Sequence, residues 1–234
     1  PICLILCVIT TIIMGIATSD LWLIFSRILA GFGAAMTLVV GAAIVMVKLD
    51  FKDKTKAMGI YFSGIAIALA LADVIARLVL TENSWQASWL MLALSAALVS
   101  PYPWYILSSH QKIQANTVTH TLNKKLFSSF VIILILAYFT EGVGMVVQGT
   151  FLPTIIQSLP GLESFAGSTW LLVGLAGIPS SIIWMRLAHQ HGSVNIIIIA
   201  MSIQIIGILI PTLSHNLYLN LLSGILYGGT FVGL

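Results

Sequence analysis

The sequence predicts an all-α polytopic membrane protein, a bundle of transmembrane helices, from three observations. Hydrophobic residues make up 59% of the chain and charged residues only 7%, whereas a soluble domain carries about 25% charged residues. Most of its eight apolar runs exceed the ~20 residues that a helix needs to cross a bilayer. The basic residues also alternate between the gaps that separate these runs. The runs cover 1–17, 21–47, 57–81, 85–108, 126–152, 165–185, 193–213 and 217–234.

The alternation of basic residues predicts the orientation of the helices. Eight of the ten Lys and Arg residues lie in every second gap, and the intervening gaps have none. By the positive-inside rule, the loops at 48–56, 109–125 and 186–192 are predicted to be cytoplasmic. Because topology accounts for these charges, a lipid bilayer is the predicted partner and nucleic acid is not. The loop residues are Lys48, Lys52, Lys54, Lys56, Lys112, Lys124, Lys125 and Arg186.

The polar stretch at 109–125 divides the chain into two halves. It has too few apolar residues for a core, so we predict a cytoplasmic linker between four helices at 1–108 and four at 126–234. Similar segments open the second and the eighth runs, at 20–23 and 216–219, and both runs travel in the same direction. Such parallel repeats relate the two halves of some transporters. Because the chain starts and stops inside apolar runs, we expect a fragment truncated at both ends.

Glu141 is the sharpest candidate for a functional residue. It lies near the middle of the run 126–152, too deep to reach either membrane surface, where an acidic group costs roughly 3 kcal/mol. At helical spacing, Tyr138, Glu141, Met145 and Gln148 share one face. The functional interpretation is a substrate or proton site that lines a central cavity. The alternative is a structural Glu that links helices through hydrogen bonds.

Three other charged residues interrupt apolar runs. Arg27 shares a face with the small residue Gly31, which favours an inward position where it pairs with an anion or with Glu141; the alternative is an anchor at the outer interface. Asp73 and Arg77 are spaced i, i+4, so they can neutralise each other on one helix. A structural role is favoured for this pair, with a cavity role as the alternative.

Glycines and a proline suggest helices that pack closely or bend. Gly174 and Gly177 share a face in the run 165–185, and Pro179 removes one helical hydrogen bond there. Gly142 and Gly144 are likewise expected to make the helix that carries Glu141 easier to bend. Because Gly and Pro are common in membrane helices, ordinary packing is an equal alternative.

Several local motifs resemble those of a known protein family. Residues 27–35 resemble the Arg-containing motif on helix four of major facilitator transporters, although Ala30 replaces its Gln. Residues 138–153 and 170–180 resemble the YbfB/YjiJ branch of that superfamily. The resemblance implies a major facilitator fold that covers about helices three to ten of twelve. The run 57–81 departs from the drug/proton antiporters, because it lacks their Gly-Pro pair.

The resemblance also implies a function. We expect alternating-access transport of a small organic solute, coupled to protons, in the bacterial inner membrane and without a cofactor. The alternative is a non-transporting membrane protein, such as a sensor or a membrane-embedded enzyme domain. That alternative needs reactive residues clustered at one membrane face. The sequence has none, and its five His residues show no metal-ligand spacing, so neither an enzyme nor a metal site is predicted.

Overall fold

The computed structural model describes residues 2–48, 51–79, 84–103, 105, 128–161, 163–214 and 216–232. These residues are overwhelmingly helical and contain no β-strand, which confirms the predicted all-α class. The helices are α1 (Ile2–Ile16), α2 (Asp20–Lys48), α3 (Phe51–Val79), α4 (Trp85–Val99), α5 (Ser129–Gln157), α6 (Glu163–Ala166), α7 (Thr169–His191), α8 (Ser193–Leu213) and α9 (Leu217–Phe231).

The described helices have the length and composition of membrane spans. Five of them, α2, α3, α5, α7 and α8, are long and apolar enough to cross a bilayer. Three others, α1, α4 and α9, have 15 residues each and rise about 22 Å, which is less than the ~30 Å of a hydrocarbon core. Each coincides with one of the eight predicted runs.

Several helix ends differ from the predicted loops. Helix α3 begins at Phe51 and α7 continues to His191, so most of the predicted loops 48–56 and 186–192 is helical. Polar side chains do not interrupt the main-chain hydrogen bonds of a helix, so a helix can extend beyond its apolar part. Gly192, with φ of +88°, ends α7 because glycine adopts this left-handed conformation readily. The predicted linker 109–125 lies outside the described residues.

Within each half, helices pack against chain neighbours and also against helices further along the chain. In the first half, α1 packs against α2 and α4, and α3 packs against α4. In the second half, α7, α8 and α9 pack against one another, whereas α5 makes fewer contacts with them. The most extensive contact in the described structure joins α3 to α7, one helix from each half.

Small residues allow the close approach of α3 and α7. A side chain at Gly174 would lie under 3 Å from the main chain of Ala66 and Ala70, so glycine is required at this distance between helices. Ser63, 6% exposed, donates a hydrogen bond across the contact to the carbonyl oxygen of Ile178 at 2.8 Å. Close approach through Gly, Ala and Ser is a usual mode of helix association in membranes.

Candidate substrate and proton site

Glu141 lies at a cavity between α5 and α8. The cavity has a volume of about 140 Å³, and a typical pocket for a drug-sized ligand measures about 300–1,000 Å³. It is therefore large enough for a small solute only. Its lining residues are Thr140, Glu141, Gly144, Met145, Met201, Gln204, Ile205 and Ile208.

Two polar side chains face this cavity without a partner. Glu141 is half-buried, and Gln204 is only 6% exposed. Neither makes a side-chain hydrogen bond or an ion pair with any described residue. Buried polar groups are normally satisfied, so the carboxylate and the amide leave hydrogen-bonding capacity unused at this cavity.

Helix α9 supports the cavity-bearing part of α5 through Tyr227. This side chain is fully buried, and its hydroxyl donates a hydrogen bond to the carbonyl oxygen of Met145 at 3.0 Å. The phenol also lies within electrostatic range of Glu141. Tyr227 belongs to an apolar core cluster that includes Leu152 and Val173. The hydrogen bond therefore connects Met145, which lines the cavity, to the packed core of the second half.

The predicted stripe on α5 is divided in the structure. Glu141 and Met145 line the cavity, and Gln148 is 7% exposed. The side-chain nitrogen of Gln148 is buried and has no hydrogen-bond partner in the described part of the chain. Tyr138, in contrast, is 73% exposed. The 3.6-residue period places these residues on one face, but the neighbouring helices cover only its later part.

Arg27 lies in the first half, beside an aromatic ring. Its guanidinium carbon is 4.7 Å from the ring centroid of Trp89 on α4, a cation–π geometry. The structure therefore brings Arg27 to Trp89, and no contact between Arg27 and Glu141 is present among the described residues. Gly31 does not mediate a close contact in the described structure, because a side chain there would meet nothing within 4 Å.

Asp73 and Arg77 form the ion pair that their spacing predicts. Arg77 Nη2 lies 2.8 Å from Asp73 Oδ2, and Arg77 Nη1 donates a hydrogen bond to Ser168 Oγ at 3.0 Å. The main-chain amide of Leu171, in α7, also donates to the Asp73 carboxylate. The pair thus connects one end of α3 to the start of α7, and it does not line the cavity beside Glu141.

The predicted packing and hinge residues fall into two groups. Gly174 and Gly177 lie against α3, with Ala66 as a common neighbour. A Cβ atom added at Gly142 or Gly144 would meet nothing within 4 Å among the described residues. Pro179 is exposed and lies inside the continuous helix α7. A bend at these positions stays a prediction.

Sequence reasoning missed Gln204 and Tyr227. Gln204 lies near the middle of the run 193–213, so it carries the same signal as Glu141, a polar group deep in an apolar helix. Tyr227 gives no such signal, because tyrosine is common in membrane helices and its hydrogen bond to α5 depends on tertiary packing. Among the described residues, no group of three or more His, Cys, Asp and Glu side chains could hold a metal ion.

Comparison with known proteins identifies the family. No solved structure matches the chain. A family model described as "Uncharacterised MFS-type transporter YbfB" matches residues 2–234, which confirms the resemblance carried by the motifs. This match indicates a transporter of a small-molecule substrate and excludes the enzyme alternative. The chain is a multi-pass membrane protein that belongs to the YbfB family of major facilitator transporters.

Proposed function

We propose that this transporter moves a small organic solute by alternating access and couples that movement to protons through Glu141. The observation that carries the proposal is the cavity between α5 and α8, where Glu141 lies without a cationic partner among the described residues. A carboxylate at this depth is stable when it is protonated or when it binds an outside group. Glu141 therefore exchanges a proton for solute, and this exchange links the two movements.

The contact between α3 and α7 supports the alternating-access part of the proposal. It joins a helix of the first half, 1–108, to a helix of the second, 126–234, and small residues form much of it. A surface of Gly, Ala and Ser has few side chains that interlock. Few bulky side chains therefore oppose a change of angle between the two halves, and the hydrogen bonds of Ser63 and Arg77 across the contact must exchange partners when the halves rock around a central site.

We also propose that the protein lies in the bacterial inner membrane with residues 48–56, 109–125 and 186–192 on the cytoplasmic side. The distribution of Lys and Arg supports this orientation. Replacement of Cys3 and Cys7 by Ser, followed by a single cysteine at His110 or at Ser84, tests it. A membrane-impermeant maleimide applied to intact cells should label the cysteine at position 84 and not the one at position 110. The reverse pattern contradicts the orientation.

Reconstitution of the full-length protein in liposomes tests the coupling. An imposed pH gradient should drive the accumulation or depletion of one component of a mixture of small organic solutes, measured by mass spectrometry. Glu141→Gln should abolish the gradient-driven part and leave downhill exchange, because the amide cannot take up or release the proton.

Glu163→Gln is the matched control for this substitution. It neutralises an exposed carboxylate of α6 that accepts a hydrogen bond from the main-chain nitrogen of Gly161, outside the cavity. This variant should transport like the wild type. Coupling that is unchanged in the Glu141→Gln variant would show that the proton is carried elsewhere.

A further inference from the structure

We infer that the cavity between α5 and α8 selects a small organic cation, an alkylammonium group with a short apolar body. This inference rests on the proposed function, because it assigns the class of solute to the same site. Charge is its first support. Among the described residues that line the cavity, Glu141 is the one ionisable side chain, and none is Lys, Arg or His. An anion placed there would face an uncompensated carboxylate, whereas a cation neutralises it.

The two arginines inside the apolar runs are occupied elsewhere. Arg77 is held by Asp73 and Ser168 at the end of α3. Arg27 lies over the ring of Trp89. Neither lines the cavity. The positive charge that a bound carboxylate or phosphate would need is therefore absent from the described surroundings of Glu141.

The rest of the lining fits the remainder of an alkylammonium ion. Gln204 offers an amide oxygen, whose partial negative charge attracts an ammonium group whether or not that group carries an N–H. Met145 and Met201 contribute polarisable thioethers, which adapt to irregular apolar groups. Ile205 and Ile208 complete an apolar wall. At about 140 Å³ the space suits an amine with a short alkyl body and excludes a drug-sized ligand.

The cation and the proton compete for the Glu141 carboxylate, and this competition determines the relative directions in which the two are transported. Among the described residues, the titratable groups near Glu141 are the Tyr227 phenol of α9 and, one turn away on α5 itself, Tyr138, and α8 contributes the uncharged Gln204. The cation binds the carboxylate, and the proton occupies the same group when the cation leaves. Cation affinity therefore rises with pH, cation binding releases a proton, and the two move in opposite directions across the membrane.

Three probe ligands of similar shape distinguish the effect of ligand charge on binding from the effect of ligand size. Tetramethylammonium, tert-butanol and pivalate each carry a compact branched group and differ in charge. Binding to the purified full-length protein in detergent is measured by titration calorimetry, and proton release is measured with a pH dye in weak buffer. We expect tetramethylammonium to bind with proton release and more tightly as the pH rises, and the other two not to bind.

Variants locate the cation in this cavity. Glu141→Gln should weaken tetramethylammonium binding at least about 10-fold, the loss of one charge contact of about 1.4 kcal/mol or more, and should abolish proton release. Gly144→Leu places a bulky side chain in the cavity from a position where a Cβ atom meets nothing within 4 Å, so it should abolish binding while leaving the melting temperature unchanged. Glu163→Gln is the control and should bind as the wild type does.

The outcomes separate this inference from the proposed function. Tighter binding of pivalate or tert-butanol than of tetramethylammonium overturns the cation class, as does binding that survives both Glu141→Gln and Gly144→Leu. If tetramethylammonium binds as expected but a pH gradient drives no transport in liposomes, the cation class stands and the proposed coupling falls. If a pH gradient drives the transport of an anion, the coupling stands and the cation class falls.

Discussion

The contact between α3 and α7 differs from the cavity between α5 and α8 in whether the polar side chains have protein partners. At the first, Ser63 donates across the contact, and Asp73 and Arg77 pair with each other. At the second, Glu141 and Gln204 have no partner among the described residues. A membrane interior provides no water to satisfy such groups. The comparison separates a contact that holds helices together from a cavity whose polar side chains lack a protein partner in the described structure.

The glycines of the two regions also differ in how closely neighbouring residues approach them. A Cβ atom added at Gly174 would lie under 3 Å from Ala66 and Ala70 of α3, whereas one added at Gly142 or Gly144 on α5 would have no described neighbour within 4 Å. The same residue type therefore permits close packing in one helix and leaves open space in another. A glycine in a membrane helix is informative only when its neighbour is known.

The largest effect on stability should come from Gly174→Ala. The added methyl group would lie under 3 Å from main-chain atoms of Ala66 and Ala70, so α3 and α7 must separate. Overpacking of this kind costs about 3 kcal/mol where the main chain cannot yield. Reversible unfolding in mixed micelles measures it. Gly142→Ala is the matched control and should change stability by less than about 0.5 kcal/mol; equal losses in the two variants would contradict the comparison.

A smaller loss should follow Arg77→Leu. Removal of the guanidinium leaves the Asp73 carboxylate, whose side chain is 9% exposed, without its cation. The loss should be about 2 kcal/mol, below the range for a fully buried pair because the Arg77 side chain is 37% exposed. The double variant Asp73→Asn with Arg77→Leu should recover part of this loss, because no buried charge remains. Full additivity of the two substitutions, measured in a double-mutant cycle, would show that the pair is not coupled.

The smallest loss should come from Ser63→Ala. This change removes the hydroxyl that donates to the carbonyl oxygens of Ile178 in α7 and Gly59 in its own helix but keeps the small volume that α7 requires. The expected cost is about 1 kcal/mol, that of one hydrogen bond, in the same micelle unfolding measurement. Thr140→Ala on α5 is the control, since its hydroxyl bonds within its own helix to Leu136 and Ala137. A loss from Thr140→Ala as large as that from Ser63→Ala would indicate a local helix effect.

Much of the candidate site could be predicted from the sequence, because a charged residue in the middle of a long apolar run can be recognised without a structure. Glu141 is conspicuous by its distance from both ends of its run, and Gln204 carries a similar signal. Tyr138 shows the limit of such reasoning. It shares the helical face of Glu141 but is 73% exposed, because a face is covered only as far as the neighbouring helices extend. Arg27 shows the same limit, since its partner Trp89 lies on another helix.

By itself, the sequence determined the class of this protein and the faces of its helices. Apolar runs, the alternation of the basic gaps and the i, i+4 pair of Asp73 and Arg77 depend on composition and local spacing, which act over a few residues. Only the tertiary structure decided which faces meet. The small-residue face that includes Ala66 and Ala70 fits any other small-residue face locally, and its pairing with Gly174 depends on contacts between distant parts of the chain. The cavity at Glu141 likewise depends on how α8 packs beside α5, because residues of both helices line it.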